Sequence, residues 1–304
     1  MSTGQASNSI LLSELQPSWL RSLRAKNLSE RTADSYRLAI EQLADHLEAE
    51  GRATAVDAIT ADDVRTFLSH ILDTRASATA AQRYRSLVQF FKWAHREGEI
   101  ESNPMDRVDP PKVEEKPVPV LADSDLRSLL AATDGREFDE RRDTAILRLF
   151  IDTGIRLGEM AGLRICDVDL DLQTAVVRGK GNRLRTVPFG DKTTEAIDRY
   201  LRARRGHHSV KLPWLWLGLK GRLGDTGIAQ MVARRAEQAG LDRIHPHQFR
   251  HTFAHRWLHD GGAEGDLQRI AGWKSPQMLQ RYGASAADER ARDAHKRMGL
   301  GDRL

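Results

Sequence analysis

The segment HPHQFRHTFAHRWLHD, residues 245–260, holds the densest set of side chains suited to phosphate chemistry. Pro246 fits the first turn of a helix, so His247 and Arg250 fall three apart near a helix N-terminus. Backbone N–H groups and the helix dipole favour an anion there, Arg grips two oxygens at once, and His transfers a proton near neutral pH. His251, His255 and His259 follow at four-residue spacing, a ladder that could hold a metal ion. No HExxH pattern is present, because Thr252, Phe253 and Ala254 intervene, and the only nearby carboxylate is Asp260. Solvated or core-edge histidines are the simpler account of the ladder.

Three further segments carry reactive types. TGIRLGEMAGL, residues 153–163, sets Arg156 after a Gly turn and before a helix, with Glu159 one turn later; alone, this is an exposed i,i+3 pair. GKGN, residues 179–182, places Lys180 on a glycine-flanked hairpin turn, where most lysines are merely solvated. AGWKSPQMLQRYGAS, residues 271–285, sets Trp273 and Tyr282 nine apart, by default a core Trp and a half-buried Tyr.

The elements that must position these residues divide at a Pro-rich stretch. Five of the ten prolines lie in NPMDRVDPPKVEEKPVPV, residues 103–120, which reads as an interdomain linker. The expected organisation is a tail over residues 1–13, a helical domain over 14–102, the linker over 103–120, and a second domain over 121–304. The net charge of +4 is small and does not by itself indicate a nucleic-acid partner. Divided after Lys112, it becomes −2 and +6, with eight of the eleven His in the second part, so chemistry is expected there. A hydrophobic content of 40% opposes intrinsic disorder. The single Cys166 excludes a disulfide framework or Cys-rich metal site and points to a reducing, intracellular setting. No stretch approaches the ~20 apolar residues that span a bilayer, so no membrane association is expected.

The first domain predicts four helices: around Trp19 to Lys26, to Glu50 with Tyr36, Ile40, Leu43 and Leu47 on one face, from a Thr60 cap through Ile71, and from a Ser77 cap to Glu97, ended by Gly98. The aromatic stripe of the last is core; Arg83, Arg85, Lys92 and Arg96 are candidates to face phosphates. The second domain predicts helices over Asp123 to Ala132, Glu140 to Asp152 and up to Leu163. Strand composition at Val168, Leu170, Leu172, Ala175, Val176 and Val177, then at Leu184, Thr186 and Val187, predicts a small antiparallel sheet. From Thr193 the pattern is helical, with breaks near Gly206 to Gly224, Gly240 to Pro246, Gly261-Gly262 and Trp273 to Pro276.

In this order and at these intervals, the four segments resemble the tyrosine recombinase (phage integrase) family over nearly the whole chain. The family pattern is an Arg in a TGxRxxE context, a Lys in a β-hairpin, an HxxR pair, a His or Trp, and a Tyr about nine residues on. It falls here on Arg156 with Glu159, Lys180, His247 with Arg250, Trp273 and Tyr282. The resemblance implies a mainly α fold with a small antiparallel sheet in the second domain: a four-helix, SAM-like core-binding domain followed by the catalytic domain. It implies a site-specific recombinase that cleaves and rejoins double-stranded DNA through a 3′-phosphotyrosyl intermediate, without metal, ATP or other cofactor. Tyr282 would be the nucleophile, His247 the proton acceptor, Arg156 and Arg250 the phosphate clamp, Lys180 the acid for the leaving oxygen, and Glu159 a support. Many members carry His where Trp273 stands; its indole N–H can still donate to a phosphate oxygen, leaving acid–base work to His247 and Lys180.

The resemblance begins near residue 14, so a two-domain recombinase without an arm-binding domain is expected. It further implies a homo-oligomer, four subunits on two DNA sites with a monomer possible without DNA, accessory directionality proteins, and a cytoplasmic, nucleoid-associated location. Residues 283–304, with a small face at Ala284, Ala286, Ala287, Ala291 and Ala294, would pack on a neighbouring subunit. Three alternatives make different predictions. A metal-dependent nuclease built on the His ladder loses activity on chelation, a non-catalytic DNA-binding protein of the same fold tolerates Arg250→Ala, and a type IB topoisomerase-like enzyme relaxes plasmids without a specific site.

Overall fold

The computed structural model describes residues 9–26, 28, 30–113, 119–179, 182–273, 279, 291–292, 295–299 and 301. The chain divides into two compact units, Met1–Lys116 and Pro117–Leu304.

The first unit is helical: α1 (Leu12–Ala25), α2 (Glu30–Ala49), α3 (Ala61–Thr74) and α4 (Ser77–Glu97). Its core forms where their apolar stripes meet. Trp19 of α1 stacks on Tyr36 of α2 at 5.4 Å and meets Phe90 of α4 edge-on at 5.1 Å, with Leu43, Phe67 and Leu87 fully buried around them. The Thr60 cap forms as a reciprocal box: the Asp63 N–H donates to Thr60 Oγ1, and the Thr60 N–H donates to Asp63 Oδ2 at 2.8 Å. Ser77 is not a cap. It is the first residue of α4, and Ala76 occupies the cap position with φ −64° and ψ 144°. Gly98 ends α4 at φ +82°, a conformation that suits glycine.

In the second unit, α5 (Asp123–Ala131) leads to α6 (Phe138–Thr153), α7 (Leu157–Gly162), the strands β1 (Val168–Asp169), β2 (Thr174–Arg178) and β3 (Leu184–Pro188), and α8 (Asp191–Arg204). A short hairpin, β4 (Leu217–Gly218) and β5 (Gly221–Arg222), precedes α9 (Asp225–Gln238), α10 (Pro246–His259) and α11 (Glu264–Ala271). The three-stranded sheet is antiparallel, with Val177 opposite Arg185 and Ala175 opposite Val187. Leu170 and Leu172 lie outside the strands: the Asp169 carboxylate accepts from the Asp171 and Leu172 N–H groups, folding a turn that leaves Leu172 73% exposed.

Helix α6 is central, with Ala145, Ile146, Leu147, Leu149 and Phe150 all fully buried, so apolar side chains cover most of its circumference. Phe150 stacks on Phe249 of α10 at 5.5 Å. Asp143, also fully buried, is compensated by guanidinium groups from Arg142, Arg234 and Arg235, which pin α6 to α9. No described helix is long and apolar enough to cross a membrane.

Candidate active site

Arg156 is the cap residue of α7, and the local sequence fixes it there. Glu159, at the third helical position, accepts the Arg156 backbone N–H on Oε2 and the Arg156 Nη1 on Oε1, both at 2.9 Å. The i,i+3 pair is therefore not an exposed one: the Glu159 side chain is 4% exposed and Arg156 41%.

A second guanidinium grips the same carboxylate. Arg185 of β3 donates Nη1 to Glu159 Oε1 at 2.7 Å and Nη2 to Oε2 at 2.8 Å, while its Nε donates to the Ile270 carbonyl at 2.7 Å. Burial pushes the Glu159 carboxyl up, but Arg185, the Arg156 backbone N–H and the two positive charges outweigh it and hold the group below the usual range.

Helix α10 begins as its sequence predicts, with Pro246 in the first turn and the His245 N–H donating to Gln248 Oε1 at 2.7 Å. His247 is exposed at this end, its ring edge-on to the buried His251 at 5.0 Å. Arg250 is 2% exposed; it donates Nη1 to the Gly154 carbonyl at 2.9 Å and Nη2 to the Ala271 carbonyl at 2.6 Å. Its guanidinium lies 5.2 Å from the Trp273 ring centroid, a cation–π arrangement. Gly154, at φ +56°, ends α6 under Phe253, which a Cβ there would meet at 2.7 Å.

These contacts close a ring. From Arg156 it runs through Glu159, Arg185, the consecutive Ile270 and Ala271 carbonyls ending α11, and Arg250, to the Gly154 carbonyl two residues before Arg156. The structure thus brings together Arg156, Glu159, Arg250 and Trp273, with His247 one turn before Arg250. Lys180 and Tyr282 lie outside the described residues, as do most of residues 283–304.

The other tyrosines are occupied. Tyr36 stacks on Trp19, and the Tyr84 hydroxyl donates to the Val108 carbonyl at 3.0 Å. The Tyr200 hydroxyl donates to the Leu215 carbonyl and accepts from the Leu217 N–H, and burial pushes its pKa up to about 12. The His ladder splits: His251 meets His247, and His255 stacks on His259 at 6.1 Å. Among the described residues, no three of His, Cys, Asp and Glu gather so as to hold a metal ion.

Of the basic residues proposed for α4, Arg85, Lys92 and Arg96 are exposed and line one face with Gln89. Arg83 differs: it is 6% exposed, its Nε donates to Gln42 Oε1 at 2.6 Å, and burial lowers its pKa. Its guanidinium is part of the packing between α2 and α4.

Sequence reasoning missed Arg185. The signal was present, because side chains alternate along a strand and Val187 is buried, which turns Arg185 to the same inner face while the apolar Leu184 is 56% exposed.

Comparison with known proteins gives the same picture along the chain. The phage integrase family model matches residues 119–289, and the model of the phage integrase N-terminal SAM-like domain matches residues 15–98. The tyrosine recombinase XerC of Oceanobacillus iheyensis is 34% identical over 265 residues, spanning 84% of this chain and 86% of that protein. XerC of Corynebacterium glutamicum is 32% identical over 260 residues, spanning 84% and 81%. Two solved structures share the fold: the XerH site-specific recombinase on palindromic difH substrate (TM-score 0.74, 19% identity, 93% of this chain and 84% of that one) and the Tn1549 transposon integrase on circular-intermediate DNA (TM-score 0.75, 22% identity, 95% and 100%). Matched in both of its units and along most of its length, the chain belongs to the phage integrase family of tyrosine recombinases.

Proposed function

We propose that this site-specific recombinase carries out its DNA cleavage and rejoining with Tyr282 as nucleophile and the Arg156–Arg250 pair as phosphate clamp. The observation that carries this reading is the ring of contacts that links Arg156, held by Glu159, to Arg250, held by the Gly154 and Ala271 carbonyls, with Trp273 against Arg250. Two guanidiniums with fixed planes suit the non-bridging oxygens of a phosphodiester and the extra negative charge of a pentavalent transition state. Three of the four tyrosines are engaged in packing or backbone hydrogen bonds, which supports Tyr282 in the remaining role.

The step balances as follows. The Tyr282 phenol oxygen bonds to phosphorus while His247, exposed at the start of α10, takes its proton. The bond from phosphorus to the 5′ oxygen breaks, and that oxygen takes a proton from Lys180. The product is a 3′-phosphotyrosyl linkage and a free 5′-hydroxyl, and attack by a partner strand's hydroxyl reverses every transfer. A phenol with a pKa near 10 needs this help at pH 7. The Trp273 N–H donates to a phosphate oxygen, and Glu159 supports Arg156.

Residues 14–102 serve as the core-binding domain and 121–304 as the catalytic domain, joined by the Pro-rich linker so that both grip the duplex. Arg85, Lys92 and Arg96 contact phosphates from the exposed face of α4. Strand exchange between two duplexes calls for four subunits, with residues 283–304 docking on a neighbour, accessory proteins setting direction, and action in the cytoplasm on the nucleoid.

The test is a covalent adduct trapped on a nicked recombination site. The wild-type chain yields a protein–DNA species resistant to denaturant, and Tyr282→Phe yields none; an adduct that survives the substitution overturns the nucleophile assignment.

A further inference from the structure

The geometry points to Arg185 as a positioning residue that keeps the two clamp arginines in register, resting on the reading of Arg156 and Arg250 as that clamp. Arg185 reaches two separate helices from the second position of β3. Its two Nη groups fork onto Glu159 of α7, and its Nε holds the Ile270 carbonyl at the end of α11. The neighbouring carbonyl, Ala271, is held by Arg250. The last carbonyls of a helix have no partner within it and carry the negative end of the dipole, so two guanidiniums are well matched to this end of α11. The consequence is geometric: Arg156 sits where Glu159 holds it, Glu159 sits where Arg185 holds it, and the start of the Trp273 segment is fixed from both sides.

The surroundings are shaped for this strut. Gly272, at φ +63°, leaves room for it: a Cβ there would meet Arg185 Cδ and Nε at 3.1 Å. Gly179, immediately before Lys180 in the chain, lies against the same pair, since a Cβ there would be 3.4 Å from Glu159 Oε1 and 3.7 Å from Arg185 Nη1. Lys cannot replace the strut, because one ammonium cannot present two parallel donors to a carboxylate and a third to a carbonyl across the site.

The experiment measures single-turnover adduct formation at saturating DNA, on a natural phosphodiester and on a site whose scissile phosphate is a methylphosphonate, which lacks the charge the clamp neutralises. A displaced clamp arginine costs on the order of tenfold to a hundredfold. Arg185→Lys is expected to slow adduct formation at least about tenfold on the phosphodiester, to come within about threefold of wild type on the methylphosphonate, and to leave DNA affinity within about twofold. In Arg185→Ala, added guanidinium ion is expected to restore the rate and ammonium at matched ionic strength is not. Equal slowing on both substrates, a rate within twofold of wild type on the phosphodiester, or rescue by both ions overturns the proposal. Arg156→Ala runs alongside: if it shows no loss specific to the phosphodiester, the clamp reading itself has failed, whereas a specific loss there without one in Arg185→Lys removes only the positioning role.

Discussion

Replacing Glu159 with Gln removes one charge and changes half of a small, buried acceptor site. The carboxylate receives four N–H groups, two from Arg156 and two from Arg185. A Gln amide keeps one acceptor oxygen and turns an NH2 toward the donors on the other side, so about two charge-assisted hydrogen bonds are lost, at about 1.5–3 kcal/mol each. Arg156, 41% exposed, can swing into water and recover part of that, leaving a net destabilisation of about 2–4 kcal/mol. For a unit of this size, at ~2–4 °C per kcal/mol, the melting temperature falls by about 5–15 °C. The pH dependence has a definite sign. The folded-state pKa of Glu159 is depressed, so its stabilisation is present above the ordinary carboxylate pKa and is lost as pH falls through the depressed value. Thermal melts followed by circular dichroism from pH 8 downward test this: the gap between wild type and Glu159→Gln should be widest near neutral pH and should close in acid. A melt within about 1 °C of wild type at pH 7, or a gap that stays constant into acid, refutes the reasoning.

Two further outcomes follow from burial. Arg85→Ala and Lys92→Ala should each weaken DNA binding and lower the slope of log affinity against log salt by about 1, while Arg83→Met leaves that slope unchanged, as titrations at several salt concentrations would reveal. Asp143→Asn leaves the buried guanidiniums of Arg142 and Arg235 facing a neutral group and should cost about 3–5 kcal/mol in urea unfolding; a change under about 1 kcal/mol would show that the charge is not needed there.

What could be read from the sequence was local. The Thr60–Asp63 box, the Gly98 stop and the Pro246 start each depend on residues within one turn, and each formed. A Ser77 cap lies one position too late, because the cap is set by where the backbone turns extended, and Ala76 does that. The β4–β5 hairpin escaped notice since strands of two residues show no alternation. Arg83 could have been assigned inward, as it shares the i, i+4, i+7, i+11 stripe with Leu87, Phe90 and Ala94, all fully buried. At the site, Arg156, Glu159, His247, Arg250 and Trp273 were recognisable as types at fixed intervals. Their partners were not: the Gly154 and Ala271 carbonyls have no sequence signature, and Arg185 reaches Glu159 across 26 positions of chain.

A closed loop of contacts behaves differently from a row of them. Between Arg156 and Arg250 there are two routes, one through the Gly154 backbone and one through Glu159, Arg185 and the end of α11. The two are not equivalent: the first ends on the Arg156 backbone, and only the second reaches its guanidinium. Cutting the second route releases the side chain while the main chain keeps its place, whereas cutting both separates the two arginines altogether. The loop thus divides its work, one side holding the backbone and the other aiming the charge.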